Sequence, residues 1–286
     1  MPRMVELQAG ELLCRIEPRL GGCVTALMLG DTPVLRVPPA RLGTARQSSS
    51  YPLVPFSNRI GHASLQWEGT LYPLVRNNDD EPHAIHGVGW QREWEVLDQA
   101  QEFAMLSYEH RGDASWPFAF DASQTFRIAP GSIEFTLSMT NQSGGNAPAG
   151  LGWHPFFVKR PNAHLSFGAT GRWEMSDDKL PTRRTASTGI DSDCAAVDVD
   201  HCFDGWDGAA QLRDELLRVR VGSNLSRLVV FTNPTRGDIA IEPVSHINNA
   251  LALSRQGMDA AQLGLVTLGA GESLSAQMTI AVERVA

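Results

Sequence analysis

The feature of this sequence that most restricts its fold is a two-residue alternation of apolar and polar side chains. It is clearest at Ile133, Phe135, Leu137 and Met139, which alternate with glutamate, threonine and serine. This period places one face of a β-strand against a core, whereas an amphipathic helix repeats over its longer turn. Similar short runs, nearly all bounded by Gly, Pro, Asn or Asp, occur at 5–7, 12–16, 65–74, 103–108, 216–221, 228–232, 239–241 and 274–282. The pattern therefore predicts an all-β chain that folds as a large antiparallel β-sandwich.

Chain length and turn residues indicate the number of domains and the positions of turns and loops. We expect residues 1–286 to form a single domain, because a chain of 286 residues buries enough surface to need no metal or disulfide for stability. The residues Trp-Glu-Gly-Thr at 67–70 predict a hairpin turn, since Gly69 can adopt a positive φ. The polar segments 40–50 and 175–200 are expected to be loops, and the second, which ends at Asp200, could line a site or be a solvated insertion.

Charge and composition argue against several classes of partner. The formal charge is −8, and the basic residues form no run longer than Arg183 and Arg184, so we expect no nucleic-acid binding. We also expect no membrane association, because neither an N-terminal secretory signal nor a stretch of about 18 apolar residues is visible. Buried free thiols in a reducing cytoplasm are the expected state of the four cysteines, Cys14, Cys23, Cys194 and Cys202.

His154 is a candidate for proton transfer. It lies between aromatic residues and directly before a proline, in Gly-Leu-Gly-Trp-His-Pro-Phe-Phe at 150–157. The proline restricts the preceding backbone to extended conformations, which limits where the imidazole can point. An imidazole can donate or accept a proton near neutral pH, but a purely structural histidine needs only one satisfied hydrogen bond. His154 by itself leaves both interpretations open.

Glu242 is the second candidate. It follows the apolar run Ile-Ala-Ile at 239–241 and precedes Pro243, so we expect a carboxylate where a strand ends. A partly buried carboxylate requires either a raised pKa, which suits a general base, or a nearby cation. A glutamate on the exposed rim of a sheet is the alternative.

Three further residues could bind a ligand or a metal. Arg59, in Pro-Phe-Ser-Asn-Arg-Ile at 55–60, offers fixed donors for sugar hydroxyls or for a structural carboxylate. His83 and His86 have the spacing H-x-x-H, but on an irregular segment this spacing does not bring two ligands together, so we expect no metal. The sequence also lacks the Gly-x-Ser-x-Gly and Gly-x-Gly-x-x-Gly motifs of common hydrolases and dinucleotide-binding proteins. A pocket of His, Glu, Arg, Asp and Trp of the kind used by sugar sites remains.

Taken in order along nearly the whole chain, these segments resemble the aldose 1-epimerase family, also called galactose mutarotase-like proteins. Each segment is weakly specific alone, but their order and spacing make a chance match improbable. The matching segments are Pro-Phe-Ser-Asn-Arg-Ile at 55–60, Ile-His-Gly at 85–87 with Trp94, Trp-His-Pro-Phe-Phe at 153–157, Asp-His-Cys-Phe at 200–203, Ile-Glu-Pro at 241–243 and Leu-Val-Thr-Leu at 265–268 followed by the turn at 269–272. The resemblance implies the family's supersandwich of β-strands and a small-molecule sugar as ligand.

The resemblance also implies roles for individual residues. Glu242 would be the general base that takes the C1 hydroxyl proton, and His154 the general acid that protonates the ring oxygen. Near neutral pH, ordinary pKa values of about 4.3 and 6.5 would leave the glutamate ionised and a useful fraction of the histidine protonated. The acidic neighbour could also raise the pKa of the histidine. Arg59, His86 and Asp200 would bind the sugar, with Asn58 supporting Arg59. The aromatic faces of Trp153, Phe156 or Trp206 could pack on the sugar or be core residues. No cofactor and no metal are implied, and a monomer or homodimer is expected.

Departures from the family leave the sugar open. Galactose-preferring members usually carry Thr-Asn-His where this chain has Gly-Trp-His at 152–154, and a glutamine where it has Val244. Arg92 is a candidate for binding the phosphate of a hexose 6-phosphate, but the early arginine of that branch is missing after Gly87, which favours a free aldose. Two other functions stay open: a non-catalytic carbohydrate-binding sandwich, and a glycoside hydrolase or lyase that pairs Glu242 with Asp200.

Overall fold

The computed structural model describes residues 4–78 and 80–285. The prediction that the N-terminus carries no secretory signal falls partly on residues 1–3, which lie outside the described residues. The two α-helices described are α1 (Ala250–Arg255) and α2 (Ala260–Leu263). The strands are β1 (Val5–Ala9), β2 (Leu12–Glu17), β3 (Cys23–Leu29), β4 (Thr32–Pro33), β5 (Pro52–Leu53), β6 (Arg59–Ile60), β7 (Ser64–Trp67), β8 (Thr70–Pro73), β9 (Ala84–Ile85), β10 (Glu95–Ala100), β11 (Phe103–His110), β12 (Phe120–Ala129), β13 (Ser132–Asn141), β14 (Ala147–Ala149), β15 (Gly152–Trp153), β16 (Phe156–Val158), β17 (His164–Phe167), β18 (Gly171–Met175), β19 (Pro181–Ala186), β20 (Ile190–Asp193), β21 (Val199–Asp204), β22 (Ala209–Arg213), β23 (Leu217–Ser223), β24 (Arg227–Thr232), β25 (Asp238–Val244), β26 (Val266–Leu268) and β27 (Ser273–Arg284).

Two large antiparallel sheets dominate the fold, which confirms the predicted fold class. The nine-stranded sheet has the order β10-β11-β12-β13-β27-β23-β22-β17-β20. The eight-stranded sheet has the order β19-β18-β21-β24-β25-β15-β5, and β16 also pairs with β25. A smaller four-stranded sheet is formed by β1 to β4.

The larger apolar core contains side chains from both large sheets. The alternating residues of β13, including Phe135 and Leu137, share this cluster with Ile239 and Ile241 of β25. All four are almost completely removed from water, and burying a side chain of this size stabilises a fold by about 1.5–3 kcal/mol. The two-residue alternation in the sequence thus identifies the strand faces that meet in this core.

The opposite face of the eight-stranded sheet carries a second cluster. Since side chains alternate along a strand, Ala240 and Val244 of β25 point away from Ile239 and Ile241 and join this second cluster. Other members are Tyr51, Trp90, Phe156, Trp173, Cys202, Val229, and Ala250 and Leu253 of α1. A strand that is buried on both faces has consecutive apolar residues in its sequence, as residues 239–241 do.

The predicted strands, the hairpin turn and the buried free cysteines are confirmed. All eight additional runs predicted from alternation coincide with strands or, at 65–74, with the hairpin of β7 and β8. In that hairpin Trp67 pairs with Thr70, and the turn residues Glu68 and Gly69 have φ of 45° and 82°. The four cysteines are free and buried. Neither α1 nor α2 in the described ranges is long and apolar enough to cross a membrane.

The prediction of a long loop at 175–200 is wrong. This segment contains β19 and β20, which pair with β18 and β17, and it enters β21 at Val199. Both strands lie at sheet edges, where one ladder of backbone hydrogen bonds and an exposed polar surface are sufficient. The apolar alternation that marks a strand against a core is therefore missing. The segment 40–50 is irregular, as predicted, apart from a single 3₁₀ turn at Ala45–Gln47.

Candidate active site

Glu242 lies inside β25 on the outer face of the eight-stranded sheet and is only 2% exposed. The prediction that it marks a strand end is wrong, because the ladder with β24 continues through Pro243 and Val244. On the other side of β25 the partner is interrupted between β15 and β16. Pro243 therefore faces a gap in that ladder, where a missing N–H group costs no backbone hydrogen bond. The same gap brings residues 154 and 155 next to the carboxylate.

His154 occupies this gap. Its backbone N–H donates to the carbonyl of Tyr51 over 3.0 Å. Its ring packs against Tyr51 and Phe156, with centroid separations of 4.8 Å and 4.3 Å. The imidazole Nε2 lies 3.1 Å from Oε1 of Glu242. Backbone pairing and two aromatic rings thus hold the imidazole Nε2 within 3.1 Å of the carboxylate.

Burial dominates the protonation of this pair. It raises the pKa of Glu242 well above its ordinary value, and the negative charge of Asp200 adds to that effect while Arg59 opposes it. Burial also lowers the pKa of His154 well below its ordinary value, with His86 and Arg36 acting in the same direction. The expectation that an acidic neighbour raises the pKa of His154 is therefore wrong, because burial of the imidazole and the nearby guanidinium groups lower that pKa.

Two atoms of the pair have unused hydrogen-bonding capacity. Oε2 of Glu242 and Nδ1 of His154 are buried and have no hydrogen-bond partner within the described part of the chain. Buried polar atoms of native proteins are almost always paired, and exceptions concentrate where catalysis or binding occurs. This pair is consequently a candidate for direct contact with a polar ligand.

Arg59 and Asn58 are brought together as predicted from the sequence. Nη1 of Arg59 donates to Oδ1 of Asn58 over 2.9 Å, and the positive φ of Asn58, 55°, turns the chain at this point. Nε and Nη2 of Arg59 donate to the two carboxylate oxygens of Glu81, over 2.5 Å and 2.8 Å. Sequence reasoning missed Glu81, because an acidic residue after Asp79 and Asp80 resembles an ordinary solvated loop.

The two histidines of the H-x-x-H spacing serve different segments. Nδ1 of His86 accepts from the backbone N–H of Asn58, and its ring meets that of His154 edge-on at 5.3 Å. Nδ1 of His83 instead accepts from the backbone of His62. Because Nδ1 of His86 is an acceptor, its proton is on Nε2, which leaves a donor at the site.

Asp200 lies on β21 and is partly buried. It pairs with Phe231 of β24, which in turn pairs with Ala240, so Asp200 shares the sheet face that carries Glu242. Its charge contributes to the raised pKa of Glu242. The structure thus brings all six predicted site residues to one side of the eight-stranded sheet, around the His154–Glu242 contact.

The residues predicted to contact the apolar face of the sugar or a phosphate do not all lie at the site. Trp153 and Trp206 belong to the larger core, whereas Phe156 packs at the site beneath the guanidinium of Arg36, 3.3 Å from the ring centroid. Arg92 forms an exposed ion pair with Asp113. Tyr51 and Arg36 are further residues that sequence reasoning missed, since their contacts with residues 154–156 depend on pairing between distant segments.

Comparisons with known proteins bear on the family of the chain. The family model for aldose 1-epimerase matches residues 3–281. The chain belongs to the aldose 1-epimerase family. It is 28% identical to the uncharacterized protein YphB of Escherichia coli K12 over 280 residues, which cover 92% of this chain and 93% of YphB. The resemblance drawn from the sequence motifs is thereby confirmed.

Solved structures of aldose 1-epimerase relatives share the fold. A candidate aldose 1-epimerase of Escherichia coli K12 is similar with a TM-score of 0.89 and 26% identity, over 99% of both chains. A galactose mutarotase-like protein of Clostridium acetobutylicum has a TM-score of 0.87 at 19% identity, over 99% of this chain and 95% of its own. The galactose mutarotase-like sandwich is therefore the architecture of this aldose 1-epimerase family member.

Proposed function

We propose that this protein is an aldose 1-epimerase that interconverts the α and β anomers of a free aldose. The observation that carries the proposal is the buried contact of 3.1 Å between Nε2 of His154 and Oε1 of Glu242. The C1 hydroxyl and the ring oxygen of an aldose are bonded to the same carbon. An acid and a base that serve these two oxygens must lie within a few ångströms of each other, as this pair does.

Ring opening requires the pair to hold one proton in total. The C1 hydroxyl gives its proton to the carboxylate of Glu242, the bond between C1 and the ring oxygen breaks as the C1 carbonyl forms, and the ring oxygen takes a proton from His154. Rotation about the C1–C2 bond turns the other carbonyl face to the ring hydroxyl. In reclosure Glu242 returns its proton to the carbonyl oxygen while His154 accepts the proton of the attacking hydroxyl. No electrons are exchanged, and no covalent intermediate forms with the protein.

The directions of the pKa shifts favour the open-chain side of this cycle. After ring opening Glu242 is protonated and His154 is neutral, which is the charge state that burial stabilises. Before ring opening the single proton has to move from Glu242 to His154 across their direct contact. The low-dielectric site therefore lowers the energy of the ring-opened state relative to the ion pair that starts the reaction.

Charge compensation around the pair supports a neutral sugar. Arg59 is neutralised by Glu81, and Arg36 lies 3.3 Å from Asp238. A guanidinium that already pairs with a carboxylate remains a directional donor, while the ion pair itself carries little net charge. We propose that Arg59, the Nε2–H group of His86 and the acceptor Asp200 contact the sugar hydroxyls, and that Asn58 supports Arg59.

Arg46 keeps a hexose 6-phosphate as the alternative substrate. Its Nη1 donates to Oδ1 of Asn78 over 2.5 Å, and it has no carboxylate partner among residues 4–78 and 80–285. It is also close enough to help lower the pKa of His86 and His154. A phosphate substrate would bind to this guanidinium. Arg46→Gln would then raise the KM for glucose 6-phosphate at least tenfold and leave the KM for glucose unchanged. Equal rates in the variant and the wild type with glucose 6-phosphate would argue against that alternative.

The proposed function is tested by anomer exchange. Polarimetry of freshly dissolved α-D-glucose, α-D-galactose, L-arabinose and glucose 6-phosphate is followed with and without protein at neutral pH, with saturation-transfer NMR as a second readout. Accelerated exchange of a neutral sugar is the expected result. Sugar binding without acceleration would show a carbohydrate-binding sandwich instead. Release of reducing sugar from aryl glycosides would show a glycosidase that uses Glu242 and Asp200.

We expect the His154 imidazole to remain neutral as the pH falls through 6.5, its ordinary pKa. The reason is the cost of burying an imidazolium. His164 offers a control within the same chain, because hydrogen bonds from its ring to Asp191 and Asp193 raise its pKa. Long-range ¹H–¹⁵N NMR of the two rings should show His164 titrating above 6.5 and His154 well below it. A His154 midpoint at or above 6.5 would contradict the dominance of burial.

The remaining expectations are part of the same proposal. Because Cys14, Cys23, Cys194 and Cys202 are free and buried, the chain suits the reducing cytoplasm proposed for it. Cell fractionation and light scattering would test the location and the monomeric or dimeric state.

A further inference from the structure

We propose that Glu81 is a positioning residue that aims the Arg59 guanidinium at the sugar, and that Lys179, from the turn between β18 and β19, holds Glu81 in place. This inference rests on the proposed function, since it takes Arg59 to be a sugar ligand. It assigns a function to a carboxylate and a turn that lie outside the catalytic pair.

The contacts of Glu81 are those of a clamp. Its Oε2 accepts from Nε of Arg59 at a distance of 2.5 Å. Its Oε1 accepts from Nη2 of Arg59 and from Nζ of Lys179, both at 2.8 Å. The side chains of Arg59 and Glu81 are 8% and 10% exposed, whereas Lys179 is half exposed. A two-point contact between planar groups fixes the plane of the guanidinium as well as its position.

The donors of Arg59 show what this fixed plane presents. The guanidinium has five N–H groups. Two donate to Glu81 and one to Asn58. Among residues 4–78 and 80–285, one N–H group on each terminal nitrogen has no further acceptor, and both groups lie in the plane that Glu81 sets. Two such donors can bind the oxygens of neighbouring sugar hydroxyls.

Charge explains why a glutamate and a lysine accompany this arginine. Burial by itself would raise the pKa of Glu81, but hydrogen bonds and charge from Arg59 and Lys179 outweigh it and hold the pKa at about 2. Glu81 is therefore ionised throughout the physiological range and offsets one of the two positive charges of Arg59 and Lys179. The arginine is left to act through its N–H directions, which suits uncharged hydroxyls.

The turn that carries Lys179 is itself attached to the segment of Arg59. Lys179 has a positive φ of 61°, and its carbonyl accepts from Nδ2 of Asn248. Oδ1 of the same asparagine accepts from the backbone N–H of Arg59. His83 also contacts this turn, since its Nε2 lies 2.8 Å from the carbonyl oxygen of Asp178. One asparagine thus fixes the distance between the turn and the arginine that it helps to orient.

The test is a comparison of KM, kcat and sugar Kd in variants of the full chain. We expect Glu81→Gln to raise KM and Kd about tenfold while kcat changes less than about threefold. The reason is that a misdirected Arg59 binds the sugar more weakly in the ground state and in the transition state alike. Lys179→Met is the milder second variant and should raise KM about threefold. Glu283→Gln, which removes a surface partner of Arg218 and Arg220, is the matched control and should leave KM unchanged.

A role that acts through Arg59 has a further signature. In the Arg59→Gln background, Glu81→Gln should add almost nothing to the increase in KM, because the group that it positions is already absent. An unchanged KM in folded Glu81→Gln protein, or an effect that adds fully to that of Arg59→Gln, would overturn the inference. Loss of the proposed function is distinguishable, since a wild type without turnover would still report the effect of Glu81→Gln through the Kd for glucose, measured by NMR.

Discussion

Glu242→Gln is expected to lower kcat of anomer exchange by about two orders of magnitude or more while the protein stays folded. Glutamine keeps the shape of the side chain and can still hydrogen-bond to His154, but it cannot accept the proton of the C1 hydroxyl. The measurement is polarimetric mutarotation at neutral pH, with circular dichroism as the check on folding. Glu134→Gln, which alters a strand glutamate of the nine-stranded sheet, is the matched control and should retain wild-type turnover.

The same substitution should separate activity from stability. A raised carboxyl pKa in the folded state means that the native protein becomes less stable as the pH rises from the ordinary value of 4.5 through the folded pKa. Glutamine removes this ionisation. The Tm of Glu242→Gln should therefore equal or exceed that of the wild type at neutral and alkaline pH. Near-normal turnover in the folded variant would exclude Glu242 as the base.

His154→Ala is expected to reduce kcat to a similar extent, because the ring oxygen then leaves without a proton donor. Removal of a ring that packs on Tyr51 and Phe156 should also lower the free energy of unfolding by about 1–3 kcal/mol. Saturation-transfer NMR between the two anomers measures the exchange rate, and thermal unfolding measures the stability. His164→Ala, which removes an exposed imidazole, should leave the exchange rate unchanged.

The two substitutions together test whether acid and base act as a unit. If Glu242 and His154 serve one ring-opening step, the double variant should be little slower than the slower single variant, because either loss already prevents concerted proton transfer. Multiplicative losses would instead assign the two residues to separate steps. Wild-type rates in folded His154→Ala protein would remove it from the mechanism.

The placement of the site follows from a sheet that is buried on both faces. Inner positions of β25, such as Ile241, pack in the larger core, and Glu242 takes the outer position next to it in sequence. The sheet is held rigidly by its core face, so the outer face can carry polar groups with fixed positions. Burial of Glu242 costs stability, which the large core of a chain this long can offset.

Much of the fold and part of the site could be predicted from the sequence. Alternation at 133–139 and in the other apolar runs located the strands of the core, because burial of one face imposes a period of two. Edge strands β19 and β20 escaped prediction, since exposed strands need no apolar face. Motifs around Arg59, His154 and Glu242 named the family, because each combines a polar group with neighbours that restrict its backbone.

Tertiary structure alone decided how these residues interact. Neither the Glu81 clamp on Arg59 nor the stacking of Tyr51 on His154 is visible in local sequence, because both join segments that only strand pairing brings together. The sequence by itself determined which groups can exchange protons, since that is a property of the side chains. Their pKa directions were decided by the fold, because desolvation depends on what surrounds a group and is the largest cause of both shifts.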